Sequence, residues 1–231
     1  MIRTAAFTRE QLRAPFTLVL LVAVPVIFVV AAAGVLGDFA RAQGGSLVGD
    51  AASSLAAGWA AAFIAGTLGF FQATSSRGAD RRLALAGLGP ARVAASRICA
   101  SMLLAVIAAG AALVALLAGT GVAHPWHAFV AVLAFAVIYL AVGVLIGSLI
   151  SSPLEGSLAV VFVFLLDVFS GPGMAAEAAP YAISRKAADV LIAAGSGGAT
   201  DTADWIRLAL VTGGAVTVAF GAFVFAARSR A

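Results

Sequence analysis

The chain has 231 residues, of which 63% are hydrophobic and 10% are charged, and its mean hydropathy is +1.10. Soluble domains carry about 25% charged residues, so a composition this apolar excludes a soluble globule and indicates an integral membrane protein. The formal charge of +4 comes from arginines beside apolar runs, a pattern that favours anionic lipid headgroups over nucleic acid. The single cysteine, Cys99, excludes an intrachain disulfide, and its apolar surroundings predict a small packing residue.

The N-terminal part mixes basic and apolar residues. Residues 2–13 predict a helix lying along the inner headgroups, with a short tail as the alternative. The run that follows, 16–36, is longer than the apolar region of about 7–15 residues in a signal peptide. We therefore expect an uncleaved first span, with Pro25 marking a kink.

Continuous apolar runs predict an all-α membrane protein with a single transmembrane domain over 1–231 and six spans, since a span needs about 20 mostly apolar residues. The predicted spans are 15–36, 54–73, 97–119, 126–150, 153–170 and 205–227. The fifth opens on Ser152-Pro153-Leu154-Glu155, which predicts a capping box.

Charge predicts the orientation of these spans. Ten basic residues fall on the side that holds both termini, and four fall on or near the other side. Because Lys and Arg near span ends resist translocation, both termini are predicted to be cytoplasmic.

The cytoplasmic loop, 74–96, is rich in arginine. We call residues 77–97 the arginine segment, since it holds Arg77, Arg81, Arg82, Arg92 and Arg97 against one acid, Asp80. It is longer than two antiparallel helices need, which predicts a partly helical docking surface for a cytoplasmic partner. The alternative is charge that only orients the spans.

The longest outer loop, 171–204, contains an amphipathic stretch. Residues 180–194 predict a helix that starts at Pro180 and stops before Gly195. At about 15 residues it is too short to span, so a re-entrant or surface-lying helix is expected.

Catalytic and metal-binding patterns are absent from the sequence. The only lysine, Lys186, has no P-loop context, so the chain does not bind ATP by that motif. His124 and His127 are too few for a metal site and fit an aromatic-belt turn anchored by Trp126. We expect no enzyme and no cofactor in this chain.

Asp167 is the one acid within a predicted span. An ionisable group there usually faces a cavity or a partner helix, although proximity to outer water is an equal alternative. Small-residue pairs, Gly143 with Gly147 and Gly66 with Gly69, permit close helix packing and imply no particular partner.

This layout resembles the membrane subunits of type-2 ABC exporters. The resemblance covers nearly the whole chain in layout and concentrates in sequence on residues 77–83 and 88–92. Asp80 stands where that family often has an acid, and Leu83, Leu85 and Leu88 supply an apolar face.

The resemblance implies a coupling helix that inserts into a groove of a separate P-loop ATPase, in two copies, which carries the ATP and magnesium. Arg81 and Arg82 would pair acids of that partner, while Leu83 and Leu85 would fill its groove. A second membrane subunit, identical or homologous, would complete a path for a small amphipathic, drug-like or lipid-like cargo. The Ala, Gly, Val and Arg bias indicates a bacterial inner membrane.

Two other functions remain open at this point. A gradient-driven transporter or channel would need no ATPase, but such proteins usually carry several intramembrane charges or inverted repeats. A membrane anchor or scaffold would use the arginine segment only to recruit soluble subunits.

Overall fold

The structure is a computed structural model that describes residues 15–47, 49–75, 90–150, 152–174 and 182–228. Within those ranges it contains seven helices and no strand, which confirms the all-helical prediction. The helices are α1 (Pro15–Ala42), α2 (Gly49–Ser75), α3 (Pro90–Gly119), α4 (Pro125–Leu149), α5 (Pro153–Phe169), α6 (Arg185–Ser196) and α7 (Thr202–Arg228).

Five of these helices, α1, α2, α3, α4 and α7, are long and apolar enough to cross a membrane. The chain is therefore a multi-pass helical membrane protein. The helix of the fifth predicted span, α5, has 17 residues. At about 1.5 Å per residue it covers about 25 Å, slightly less than a typical hydrocarbon core. A count of six spans remains a prediction.

Local sequence sets several helix ends. The Ser152 Oγ accepts a hydrogen bond from the Glu155 N–H at 3.4 Å, and Pro153 occupies the first helical position, which confirms the predicted cap of α5. Pro90 likewise begins α3, ahead of the predicted span start at 97, because proline is tolerated where no intrahelical N–H is needed.

Helices α2 and α4 form the centre of the bundle and run parallel, packed through glycines. Gly143 of α4 lies against the Gly66 backbone of α2, and a Cβ at Gly147 would lie 2.8 Å from the Ala73 Cβ. Gly69 lies against Leu140 and Val144, so only one glycine of each pair meets a glycine of the other. Without a hydrophobic driving force between helices in lipid, such close backbone contact is a principal source of association.

Helix α5 runs antiparallel to α2 along one side of this centre. Gly156 lies beside Phe70, the Phe164 ring centroid is 5.1 Å from that of Phe63, and Gly171 lies beside Trp59. Later residues of α5 therefore contact earlier residues of α2, so α5 extends along most of the bundle.

The bundle has two distinct ends. One end, where α1 and α5 finish and α6 lies, we call the α6 end. There the N–H groups of Ser46 and Leu47, after α1, donate to the Gly173 carbonyl, after α5. The Trp205 ring, early in α7, lies 5.1 Å from the His127 ring, early in α4, between centroids. The beginning of α1 and the end of α7 therefore lie at the opposite end, which we call the arginine end, where α2 ends and α3 begins.

Apolar side chains cover the outside of the bundle. Helices α1 and α7 are the most exposed, with Val22, Ile27, Val30 and Val35 on α1 and Ile206, Leu210, Val218 and Phe225 on α7. In a membrane these side chains face lipid. Cys99 is also exposed, on α3, so the prediction that it packs inside the chain is wrong.

Candidate functional site

The predicted coupling residues Asp80, Arg81, Arg82, Leu83, Leu85 and Leu88 lie outside the described residues. Their docking role stays a prediction. The structure does describe both helices that flank them. Arg92 is exposed and Arg97 half-buried on the early turns of α3.

A polar contact joins the two flanking helices near the arginine end. Gln72, in the last turns of α2, donates from Nε2 to the Arg97 carbonyl of α3 at 3.4 Å. The buried Ser101 hydroxyl lies against the Gln72 Oε1 and 3.0 Å from the same carbonyl. This contact fixes the position of α2 along the axis of α3.

Beyond this contact, α3 continues further than α2 toward the arginine end. The residues of α3 before Ser101 extend about 16 Å, whereas those of α2 after Gln72 extend about 5 Å, at about 1.5 Å per residue. Arg92 and Arg97 therefore lie on the first turns of α3, which we call its stem, beyond the contact with Gln72, and Val93 and Ala94 of these turns are buried.

Asp167 lies at the other end of the bundle, in the last turn of α5, and is only 4% exposed. Its Oδ2 accepts a hydrogen bond from the Tyr139 hydroxyl of α4 at 2.8 Å, and its Oδ1 accepts one from the Ser184 N–H at 3.2 Å. Of the alternatives for this acid, the structure places it inside the chain, between α5, α4 and the residue that precedes α6.

Tyr139, which donates to this carboxylate, packs against a second aromatic ring. The Phe164 ring meets the Tyr139 ring edge-on at 5.8 Å between centroids. Trp59 and Ser184 are fully buried, and Trp59 Nε1 and Ser184 Oγ have no hydrogen-bond partner in the described part of the chain. Because a buried carboxylate is costly unless hydrogen-bonded, its two neutral donors are essential to keeping it there.

Sequence reasoning missed Tyr139, Ser184 and Trp59. One signal was available for Tyr139, since it is the only tyrosine within a predicted span and a buried tyrosine hydroxyl usually finds a partner. Ser184 contributes its backbone N–H, which no side-chain pattern can reveal.

Helix α6 packs against the bundle at the end where α2 and α4 begin, and the prediction of a re-entrant or surface-lying helix stays a prediction. Its buried side, Ala187, Ala188, Val190, Leu191 and Ala194, packs mainly against α2 and α4. Its polar side carries a 3.3 Å contact between Lys186 and Asp189.

The bounds of α6 correct the prediction. Residues 182–184 are not helical, and Gly197 rather than Gly195 ends the helix. Gly197 adopts a left-handed conformation with φ of 74°, and the Gly198 N–H donates to the Ala193 carbonyl at 2.9 Å. This is a helix stop that glycine makes without strain.

The C-terminal end of α6 is bound to the connection between α3 and α4. The His124 N–H donates to the Ala194 carbonyl at 3.0 Å, and the Ala123 N–H donates to the Gly195 carbonyl at 3.4 Å. His124 and His127 have ring centroids 5.3 Å apart, but no group of three potential ligands exists among the described residues.

No family model matches the sequence, and neither a curated protein nor a solved structure matches the chain. The Gln72 contact joins α2 to the first turns of α3, and the Asp167 contact connects three elements at the opposite end.

Proposed function

We propose that the chain is the membrane subunit of an ATP-driven exporter, powered by a separate P-loop ATPase. The observation that carries this proposal is the arginine segment, held between two long helices in a chain without a P-loop of its own. Such a segment gives a cytoplasmic partner an electrostatic target just outside the bilayer.

The stem of α3 favours energy transfer over simple attachment. A mechanical signal needs a stiff path, and α3 continues without interruption from Pro90 to Gly119. The contact between Gln72 and Ser101 would make α2 follow any tilt of α3. A scaffold that only recruits subunits needs neither property.

The outer face of α5 suits a second membrane subunit and an amphipathic cargo. Only one stripe of α5 packs on the bundle, and the remainder exposes large apolar side chains: Leu154, Leu158, Val161, Phe162, Leu165, Leu166 and Phe169. A second subunit, identical or homologous, would enclose a path with this face. The assembly would reside in a bacterial inner membrane, with ATP and magnesium on the ATPase.

Affinity purification tests the proposal. The tagged chain is purified in mild detergent from its native host, and co-purifying proteins are identified by mass spectrometry. We expect a stoichiometric P-loop ATPase that is lost from the double variant Leu83→Asp, Leu85→Asp. Gly121→Asp, in the exposed turn at the α6 end, is the matched control and should retain it. A chain that purifies without any nucleotide-binding partner contradicts the proposal.

The buried Asp167 favours a second candidate, a transporter driven by an ion gradient. Intramembrane acids often carry coupling ions. Gradient-driven uptake of a test amphiphile into liposomes that contain only this chain would support it, and Asp167→Asn should then abolish the uptake. No uptake without an ATPase would count against it.

A further inference from the structure

Two buried polar atoms near Asp167 are not paired within the described part of the chain. Trp59 and Ser184 are both 0% exposed, and neither the Trp59 indole N–H nor the Ser184 hydroxyl has a hydrogen-bond partner among the described residues. A buried donor without a partner has lost its hydration and gained nothing in return. Nearly all such groups in folded proteins therefore bind either a protein atom or an ordered water.

Both atoms lie beside the C-terminal end of α5. The Ser184 N–H is 3.2 Å from Asp167 Oδ1, so the side chain of the same serine starts close to this carboxylate. A Cβ at Gly171, shortly after Asp167, would lie 2.7 Å from Trp59 Cζ2. Cζ2 and the indole nitrogen are bonded to the same ring carbon, so the N–H side of the ring is the side that meets α5. The two unpaired atoms thus lie against one short segment, 167–171.

The carboxylate of Asp167 can accept a further hydrogen bond. A carboxylate offers about four acceptor sites, and the Tyr139 hydroxyl and the Ser184 N–H use one on each oxygen. An indole N–H only donates, a carboxylate only accepts, and a hydroxyl does either. A ligand that joins all three must accept and donate, which excludes a cation. Water does both, and a buried water typically makes about three hydrogen bonds.

We propose that a buried water molecule binds between α2, α5 and the residue that precedes α6. It accepts a hydrogen bond from the Trp59 indole N–H and donates one to the Asp167 carboxylate, and the Ser184 hydroxyl is its third partner. The water gives the carboxylate an additional donor and connects α2 to a cluster that otherwise joins α4, α5 and Ser184. The site needs neither an ATPase nor a cargo, so it is independent of the proposed exporter function.

Ultraviolet resonance Raman spectroscopy tests the hydrogen bond of the Trp59 indole, because the indole N–H band shifts on hydrogen bonding. Trp126→Phe and Trp205→Phe leave Trp59 as the only tryptophan in the chain. We expect its band at the hydrogen-bonded frequency, although no described residue supplies an acceptor. A protein that keeps Trp205 alone gives the bonded reference, since Trp205 Nε1 donates to Thr200 Oγ1 at 3.2 Å.

A matched pair of variants at Ser184 separates a bound water from an acceptor in the protein. Threonine and valine have nearly the same shape and volume, but only threonine carries a hydroxyl. Both keep the backbone N–H that donates to Asp167. We expect Ser184→Val to shift the Trp59 band to the non-bonded frequency, because the water loses a partner, and Ser184→Thr to leave the band in place.

A bonded Trp59 band that is lost only in Ser184→Val supports the water site. A non-bonded band before any change at Ser184 overturns the proposal, because Trp59 then donates to nothing. A bonded band that persists in Ser184→Val also overturns it, because the acceptor is then a protein atom. Equal loss in both variants assigns the effect to added volume and rejects the role of the hydroxyl. The measurement uses the purified chain alone, so its failure is distinct from failure to find an ATPase.

Discussion

Gly143 of α4 lies directly against the backbone carbonyl of Gly66 on α2. A Cβ at position 143 would come within 2.8 Å of the Gly66 carbonyl carbon and 2.9 Å of the Phe70 nitrogen. Both neighbours belong to the backbone and cannot rotate away. The two central helices therefore depend on the absence of a side chain at this point.

A single added methyl group should loosen this contact. We expect Gly143→Ala to lower the free energy of unfolding in detergent by about 1–3 kcal/mol, the usual effect of overpacking. Gly110→Ala on α3 is the matched control, because a Cβ there would meet no atom within 4 Å. Thermal unfolding followed by tryptophan fluorescence measures both. Equal melting temperatures for the two variants would show that the helices do not pack as described.

The hydrogen bond between Tyr139 and Asp167 should be measurable as a coupling energy. Tyr139→Phe leaves the buried carboxylate with one donor fewer, so we expect a loss of about 1.5–3 kcal/mol. In a double-mutant cycle with Asp167→Leu, the second substitution should cost much less once the first is present. Unfolding free energies of the four proteins give the coupling, and strict additivity would mean that the side chains do not interact.

The two ends of α3 provide a test of orientation. Ala91 and Gly121 are both exposed, at the arginine end and the α6 end respectively. In a Cys99→Ala background, a membrane-impermeant maleimide added to intact cells should label Gly121→Cys and spare Ala91→Cys. Disrupting the cells should make both reactive. The reverse pattern would invert the predicted topology.

Tryptophan emission reports on the packing beside α5. Trp59 is fully buried, whereas Trp126 is 70% exposed. With the other two tryptophans replaced by phenylalanine, acrylamide should quench Trp126 much more strongly than Trp59. Gly171→Ala should then shift the Trp59 emission, because its Cβ would lie 2.7 Å from the indole Cζ2. Equal quenching of the two tryptophans would contradict the burial of Trp59.

The sequence predicted those features that depend on neighbouring residues. Apolar runs of sufficient length can satisfy their backbone in lipid only by forming helices or closed barrels, and the absence of alternation selects helices. The cap at Ser152 follows from residues only three positions apart. Both kinds of signal are local, which is why they can be read without a structure.

Features that depend on distant pairing were not predicted. Tyr139 and Asp167 are 28 residues apart, and nothing in either segment specifies the other. The glycine pairs were visible, but the contact of Gly66 with Gly143 depends on the register of α2 against α4. The end of α6 was misplaced because both Gly195 and Gly197 can stop a helix, and only the tertiary contacts decide between them.

The lengths of α3 and α5 have a consequence for the surrounding bilayer. Helix α3 has 30 residues and α5 has 17, so at about 1.5 Å per residue they differ by about 20 Å. If α5 crosses the membrane as predicted, lipid that borders it would have to thin to match it, whereas α3 can match the same bilayer by tilting. The predicted sixth span therefore implies that short-chain lipids gather along the side formed by α5.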